Sequence, residues 1–361
     1  MRKDVLVIGQ GICGTFLTWW LEQKGISFVV IDEERPSTAS RAAAGLINPV
    51  TGRRIVKTWM IDELLSFAED VYASIGSELQ INCLKPARVI DFFPTPQMRL
   101  AFLKRLEEDP EYLELPADEK AWSPQFNYDL GYGMVTHCYL ADLPGLLPAW
   151  RRRLVNQNLL RSSSFNLSSL VVNTDHVQYE DITARHIIFC DGIESFNSPY
   201  FSRLPFAPNK GEALILDIPD WPSGPSAMDS VSDTPIFKKG MTLAPWKDGL
   251  FWVGSSYEWS FTNPDPTETF RQRTEAFLKS WLKPSFRMLD HIASVRPATL
   301  ERRPFVGFHP LHPAVGILNG MGTKGCSLAP YFAHQLVEHI VNEKPIQPDV
   351  DVRRFTKILS R

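Results

Sequence analysis

The first thirty residues alternate between apolar runs and a helical pattern. Residues 5–8 form a short run rich in β-branched side chains, which is typical of a buried parallel strand. Over residues 12–23 apolar side chains recur at helical spacing, and Gly25 follows where helices commonly end. A second apolar run covers residues 28–31. The chain is therefore predicted to begin with a β-α-β unit.

Later patterns predict strands and helices along the rest of the chain. Strands are predicted at residues 184–189, 213–216, 250–254 and 316–319. Helices are predicted at residues 266–282 and from the turn after residue 319 to about residue 341. The helix at 266–282 carries Phe270, Phe277, Leu278 and Trp281 on one side and is closed by Pro284. No internal repeat or low-complexity linker interrupts these elements.

Three glycines stand where the first predicted strand passes into the first helix, in the pattern G-x-G-x-x-G. Gly9 permits a tight turn, Gly11 lets a pyrophosphate approach the backbone, and Gly14 lets the helix pack close to the strand. The helix N-terminus offers N–H groups and a positive dipole to phosphates. Asp32 lies at the end of the second strand, where a carboxylate accepts hydrogen bonds from ribose hydroxyls. The unit predicts a dinucleotide site for FAD or NAD rather than NADP.

Two further segments favour FAD over NAD. Residues 40–49, SRAAAGLINP, carry small side chains that allow the segment to lie against a flat ligand, and Ser40 and Arg41 can bond phosphate oxygens. An ordinary alanine-rich helix start is the alternative for this segment. The glycine-rich turn at residues 320–325 opens a second helix. Its dipole can stabilise negative charge on a reduced flavin ring, a need that nicotinamide does not have.

Composition limits the classes of partner. The chain has 361 residues, 44% of them hydrophobic, and a net charge of −3, so it can bury two or three domain-sized cores and shows no overall bias towards nucleic acid. Its five cysteines are widely spaced and lack metal or redox spacing, which favours a reducing cytoplasm. The N-terminus lacks the cleavage site of a signal peptide, and no run is long enough to span a membrane. Contact with a membrane is expected to be peripheral at most.

The motifs together resemble one family. The glycine-rich start, the segment at 40–49, the segment VRPATLERRPFVG at 295–307 and the turn GMGTKG at 320–325 are similar to those of the FAD-dependent D-amino-acid oxidase superfamily, which includes glycine and sarcosine oxidases. The resemblance implies an α/β fold in which a Rossmann-like FAD-binding domain is interleaved with an antiparallel-sheet substrate domain. The FAD domain would take residues 1–75, 137–205 and 295–361, and the substrate domain residues 76–136 and 206–294.

The resemblance also implies roles for individual residues. Arg296, in the R-P motif, would bind a substrate carboxylate, although a surface ion pair is the alternative. Lys324 would help to hold that carboxylate, or would instead complement the flavin charge or face solvent. The predicted cofactor contacts are Gly9, Gly11, Ile12, Cys13, Gly14, Asp32, Glu33, Ser40, Arg41, Ala44, Gly45, Leu46, Cys190, Gly192, Gly320, Gly322, Thr323 and Lys324.

The sequence departs from the family pattern in places. No cysteine lies between Cys190 and Cys326, so FAD is expected to bind non-covalently. Met321 stands where a histidine is common, and Asp191 near phosphates would be unfavourable. His309 and His312 are expected in a loop, and no metal site is expected.

Three functions follow from these observations. The first is a cytoplasmic FAD-dependent oxidase or dehydrogenase that acts on a small amine or amino acid and passes electrons to O2 or to a quinone or electron carrier. The second is a flavin oxidase of a carboxymethylamino group on tRNA, for which a local basic face is predicted from Arg151, Arg152, Arg153, Arg353 and Arg354. The third is a flavoprotein-like binding subunit without catalysis. A cluster of Arg53, Arg54 and Lys57 is expected to be solvated rather than to ring the entrance of the site.

Overall fold

The computed structural model describes residues 1–52, 54–221 and 234–361. The first strands are β1 (Arg2–Ile8), β2 (Phe28–Ile31), β3 (Leu46–Ile47), β4 (Val50–Thr51), β5 (Val56–Lys57), β6 (Leu84–Phe92), β7 (Leu113–Glu114), β8 (Tyr132–Ala141), β9 (Leu160–Arg161) and β10 (Leu170–Val172). They are followed by β11 (Val177–Tyr179), β12 (Ile182–Phe189), β13 (Asn209–Asp217), β14 (Thr234–Lys239), β15 (Met241–Pro245), β16 (Phe251–Gly254), β17 (Arg287–Arg296), β18 (Phe305–His309) and β19 (His312–Asn319). The α-helices are α1 (Ile12–Gln23), α2 (Ala39–Ala42), α3 (Ile61–Leu79), α4 (Pro96–Glu108), α5 (Leu143–Asn156), α6 (Glu268–Trp281), α7 (Gly325–Asn342) and α8 (Thr356–Leu359).

The first sheet is built around the predicted β-α-β unit. Its central strand β1 lies parallel to β2 on one side and to β12 on the other, and β12 lies parallel to β19. Because side chains alternate along a strand, Val5 and Val7 join one buried cluster with α1 and α7, whereas Leu6 and Ile8 join another on the opposite face. The predicted unit is confirmed, and the N-termini of α1 and α7 come to the same edge of this sheet.

The second sheet has the order β17-β13-β16-β15-β14-β6-β8-β3, with β7 beside β8. Its back face packs under α6, where Leu214, Val253, Phe270 and Trp281 share one buried cluster. The antiparallel sheet expected from the sequence needs one correction, because β14 runs parallel to β6. These two strands are far apart in the chain, so no hairpin forces them to run in opposite directions.

Most of the predicted elements are confirmed, and one is wrong. The helices expected at 266–282 and before residue 341 are α6 and α7. His309 and His312, expected in a loop, instead pair with each other across β18 and β19. Pro310 and Pro313, which follow these histidines, lie at or next to strand ends, where proline is tolerated, so they do not disrupt the hairpin. The domain boundaries stay a prediction.

Within the described ranges, no helix combines the length and the apolar character that crossing a bilayer requires.

Candidate functional site

A cavity of about 890 Å³ lies between the two sheets. Its walls are the edge of the first sheet where β1 ends, the segment before β3, the N-termini of α1 and α7, and the front face of the second sheet. Predicted residues that line it are Gly9, Gly11, Ile12, Cys13, Asp32, Glu33, Ser40, Ala44, Gly45, Leu46, Cys190, Gly192, Arg296, Gly322, Thr323 and Lys324. Residues spread over more than 300 positions of sequence therefore meet at one site.

Three predicted contacts do not line the cavity. A Cβ on Gly14 would lie 2.0 Å from the Gly9 carbonyl oxygen, and one on Gly320 would lie 2.8 Å from the Thr299 methyl group. Both glycines therefore allow close packing behind the wall. Arg41 forms an ion pair with Glu34 at 3.2 Å.

The turn before α1 has the backbone geometry that the glycine pattern predicts. Gly9 has a φ of +95°, which favours glycine, and a Cβ there would meet the carbonyl oxygen of Cys190 at 2.6 Å. A Cβ on Gly11 would lie 3.0 Å from Ser40 Oγ, which accepts a hydrogen bond from the Ile12 N–H at 3.0 Å. The first turn of α1 borders the cavity through Ile12 and Cys13, and the N–H groups of a first helical turn have no partner within the helix.

Asp32 is fixed at the end of β2 by partners that the sequence did not reveal. Its carboxylate accepts hydrogen bonds from the main-chain N–H of Gln10 at 2.9 Å and of Glu34 at 2.8 Å. It also pairs with Arg151, which is buried and reaches Glu34 at 3.0 Å as well. Arg151 therefore belongs to this carboxylate cluster and not to the basic face predicted for tRNA.

The remaining arginines of that predicted basic face are mostly neutralised. Arg153 pairs with Glu22, Arg353 with Asp351, and Arg354 with Glu301. Paired surface charges attract a polyanion weakly, because each cation is balanced by a carboxylate.

The solvated cluster predicted after the segment at 40–49 is seen in part. Lys57 pairs with Asp62 and Glu111, and Arg54 is exposed, whereas Arg53 lies outside the described residues.

The turn after β12 avoids the expected clash between an acid and phosphates. Gly192 has a φ of +60°, and the Asp191 carboxylate accepts hydrogen bonds from Ser195 Oγ and from the Asn319 side chain. Burial raises the pKa of Asp191 to about 7, which weakens its negative charge near neutral pH. Met321, the residue noted where a histidine is common, is buried and lines the cavity.

Lys324 lies at the start of α7, next to the N-terminus of α1. A Cβ on Gly325 would lie 3.2 Å from Ile12, so the two helix starts nearly touch. The Lys324 ammonium donates a hydrogen bond to Thr58 Oγ1 at 3.0 Å, a partner that sequence reasoning missed. Burial, together with the charge of Arg302, lowers the pKa of Lys324 to about 8. Lys324 is half-buried and lines the cavity.

Among the described residues, the groups that hold Arg296 at the end of β17 are all uncharged. Its guanidinium donates to Asn209 Oδ1 at 2.6 Å, Ser255 Oγ at 2.7 Å and the Ser256 carbonyl at 3.2 Å. Tyr257 covers it, with its ring centroid 4.7 Å away. Among the described residues no carboxylate forms an ion pair with Arg296, so the surface ion pair considered as an alternative is absent from that part of the chain.

Gly211 leaves the space beside β13 that this guanidinium occupies. A Cβ on Gly211 would lie 1.9 Å from Nη2 of Arg296, although the backbone there is not left-handed. Arg296 reaches the cavity because Gly211 on the neighbouring strand has no side chain.

The proteins to which this chain is similar are consistent with the geometry of the cavity. The sequence pattern of the FAD-dependent oxidoreductase family matches residues 4–339. The chain belongs to this family. This membership confirms the resemblance found in the motifs. It also confirms the prediction of a flavoenzyme over that of a subunit that only binds a partner.

Three relatives of the chain have low sequence identity to it. Glycine oxidase of Pseudomonas putida is 22% identical, and the match covers 96% of each chain. Iminodiacetate oxidase from Chelativorans sp. BNC1 has a TM-score of 0.71 at 21% identity, with 95% of this chain and 96% of that one covered. Glycine oxidase from Bacillus cereus has a TM-score of 0.78 at 14% identity, with 99% of both chains covered. These structures share the fold of the chain over nearly its whole length.

The residues of the cavity fit the flavin nucleotide that the family uses. Gly9 and Gly11 line the cavity at the N-terminus of α1, and Gly14 lets that helix pack against the turn behind them, which is the arrangement that binds a pyrophosphate in dinucleotide-binding folds. Asp32 is oriented at the place where a ribose would lie, and the start of α7 faces the same cavity. The first turn of α1 and Asp32 would hold the dinucleotide, and Lys324 and Arg296 line the same cavity.

Proposed function

We propose that the protein uses non-covalently bound FAD to oxidise the C–N bond of a small amine that carries a carboxylate, such as an amino acid or an N-substituted glycine. The observation that carries the proposal is the state of Arg296. A guanidinium has five N–H donors, of which three are engaged by Asn209, Ser255 and Ser256. Within the described part of the chain, one Nη2 N–H and the Nε–H of Arg296 remain without a partner, and two donors on neighbouring nitrogens are what a carboxylate needs for a bidentate contact.

The chemistry divides between cofactor and protein. Bound flavin supplies the acceptor for the hydride equivalent that leaves the carbon next to nitrogen. Arg296 and Lys324 hold the substrate carboxylate, which fixes the orientation of the amine in the cavity. Loss of the hydride and of one N–H proton converts the amine to an imine. The relatives named above as glycine oxidase and iminodiacetate oxidase support this substrate class.

The substrate class is tested by anaerobic mixing of the purified yellow protein with a panel of amines. We expect at least one of glycine, sarcosine, iminodiacetate and D-alanine to bleach the flavin, because each offers a carboxylate to Arg296. Methylamine and ethylamine, which lack the carboxylate, are the matched controls. Bleaching by the simple amines alone would refute the proposal. Admitting O2 or a quinone afterwards identifies the electron acceptor. If FAD is bound non-covalently, acid precipitation of the protein should leave the flavin in the supernatant and give a colourless pellet.

Lys324 is predicted to make carboxylate binding depend on pH. Its pKa of about 8 means that the ammonium is charged below pH 8 and loses its charge as the pH rises through that value. The affinity for acetate, a carboxylate without an amine that titrates in this range, should therefore fall about tenfold or more between pH 7 and pH 10. Flavin absorbance changes report the binding.

Two variants check that the transition belongs to Lys324. Lys324→Met should bind acetate weakly at all these pH values, and Lys324→Arg should keep its affinity to a higher pH because arginine stays protonated. A transition near pH 8 that persists in Lys324→Met would assign it to another group.

A further inference from the structure

Asn209 lies directly opposite Arg296 across β13 and β17 and is almost completely buried, at 1% exposure. Its Oδ1 accepts the shortest of the three hydrogen bonds from the guanidinium, at 2.6 Å. Its Nδ2 group is buried and has no hydrogen-bond partner among the described residues. The Asn209 amide therefore accepts a hydrogen bond from Arg296 while its own buried N–H donors stay unpaired.

An aspartate would fit this position better if structure alone mattered. It has nearly the shape of asparagine, has no N–H group to leave unpaired, and would form an ion pair with Arg296. Such a pair would neutralise the guanidinium and repel any other carboxylate that approached it. The amide holds the guanidinium in place and leaves its charge uncompensated.

The neutrality is specific to this face of the sheet. On the same strand, Glu212 is fully buried but projects from the opposite face, where it pairs with Lys210 at 3.3 Å and accepts hydrogen bonds from Thr267. Glu212 also borders the cavity, but its carboxylate is engaged in an ion pair on the back of the strand, whereas Arg296, on the front, is surrounded by neutral acceptors.

We infer that Asn209 is a positioning residue that sets the selectivity of the site for carboxylate-bearing amines by holding Arg296 without neutralising it. The inference rests on the proposed function and adds to it the group that keeps the cation available. Ser255, which accepts from Nη2, has the same neutral character at the second contact.

The test places a negative charge where the amide oxygen now lies. Asn209→Asp is expected to weaken acetate binding, measured by flavin absorbance changes, by about thirtyfold or more, and to lower kcat/KM for a carboxylate-bearing amine by a similar factor. The ratio of kcat/KM for a simple amine to that for its carboxylate-bearing counterpart should rise. Asn209→Ala, the matched control, removes the hydrogen bond without adding charge and should weaken acetate binding about tenfold at most.

The possible outcomes separate this inference from the proposal on which it rests. If Asn209→Asp retains FAD and binds acetate as the native protein does, while Arg296→Leu does not bind it, the inference about Asn209 is wrong. If Arg296→Leu also binds acetate normally, the proposed carboxylate contact fails instead.

Should Asn209→Asp fail to fold, Ser255→Asp places the charge at the other contact and should give the same loss. A purely structural role of Asn209 would make the alanine variant at least as impaired as the aspartate variant, which would also overturn the inference.

Discussion

Arg296→Leu is expected to lower kcat/KM for a carboxylate-bearing amine by about a hundredfold to a thousandfold, since truncating one partner of a buried charge pair costs roughly 3–4 kcal/mol. Leucine removes both free N–H donors and the positive charge from the end of β17. Burial lowers the pKa of the guanidinium, but an arginine remains charged at any pH of the assay, so the native contact is present throughout. The measurement is steady-state kinetics, with acetate binding as an independent readout.

Arg296→Lys separates charge from geometry. Lysine keeps the cation but provides no planar pair of donors, and we expect it to recover only part of the loss. Simple amines have no carboxylate to bind and serve as the control: whatever rate the native protein shows with them should be nearly the same in both variants. An equal loss for amines with and without a carboxylate would contradict the assignment and indicate a general distortion of the cavity.

Gly14→Ala is expected to abolish tight FAD binding and to lower the thermal midpoint. The new Cβ would lie 2.0 Å from the Gly9 carbonyl oxygen, which is backbone and cannot turn aside. Helix α1 must therefore move away from the turn, and its main-chain N–H groups leave the positions that face the pyrophosphate. Overpacking of this kind costs about 1–3 kcal/mol in stability. The ratio of flavin to protein absorbance and a thermal melt measure the two effects.

Gly25→Ala provides a matched control for this prediction. Gly25 lies at the other end of the same helix and has a φ of +68°; apart from its chain neighbours, no atom of the described residues lies within 4 Å of the place a Cβ would take. Alanine there should cost about 1 kcal/mol of stability through backbone strain and leave flavin binding intact. Full flavin content in Gly14→Ala, with an unchanged melt, would show that the close contact between α1 and the turn is not required.

Sequence patterns revealed the parts of the site that depend on local structure. The strand, the glycine turn and the helix at residues 5–23 are adjacent in the chain, so their spacing already fixes their geometry. Asp32 and the turn before α7 follow strands in the same way, and both line the cavity.

The partners of these residues could not be predicted, because they depend on contacts between distant segments. Thr58 meets Lys324, and Asn209 meets Arg296, only through the packing and register of separate elements. Arg151 lies beside two other arginines, which suggested a basic face, yet the turn of α5 directs it towards Asp32. Neither charge patterning nor hydrophobic periodicity contains that information.

The cavity walls come from segments that meet only in the folded chain, and this couples cofactor supply to the lifetime of the protein. A ligand that binds the folded state alone adds about 2.7 kcal/mol of stability at a free concentration of one hundred times its dissociation constant. The unfolded chain, with Gly11, Cys190 and Lys324 far apart, offers no comparable site. In a cell short of flavin, a larger fraction of these molecules would therefore be open to proteases at any moment.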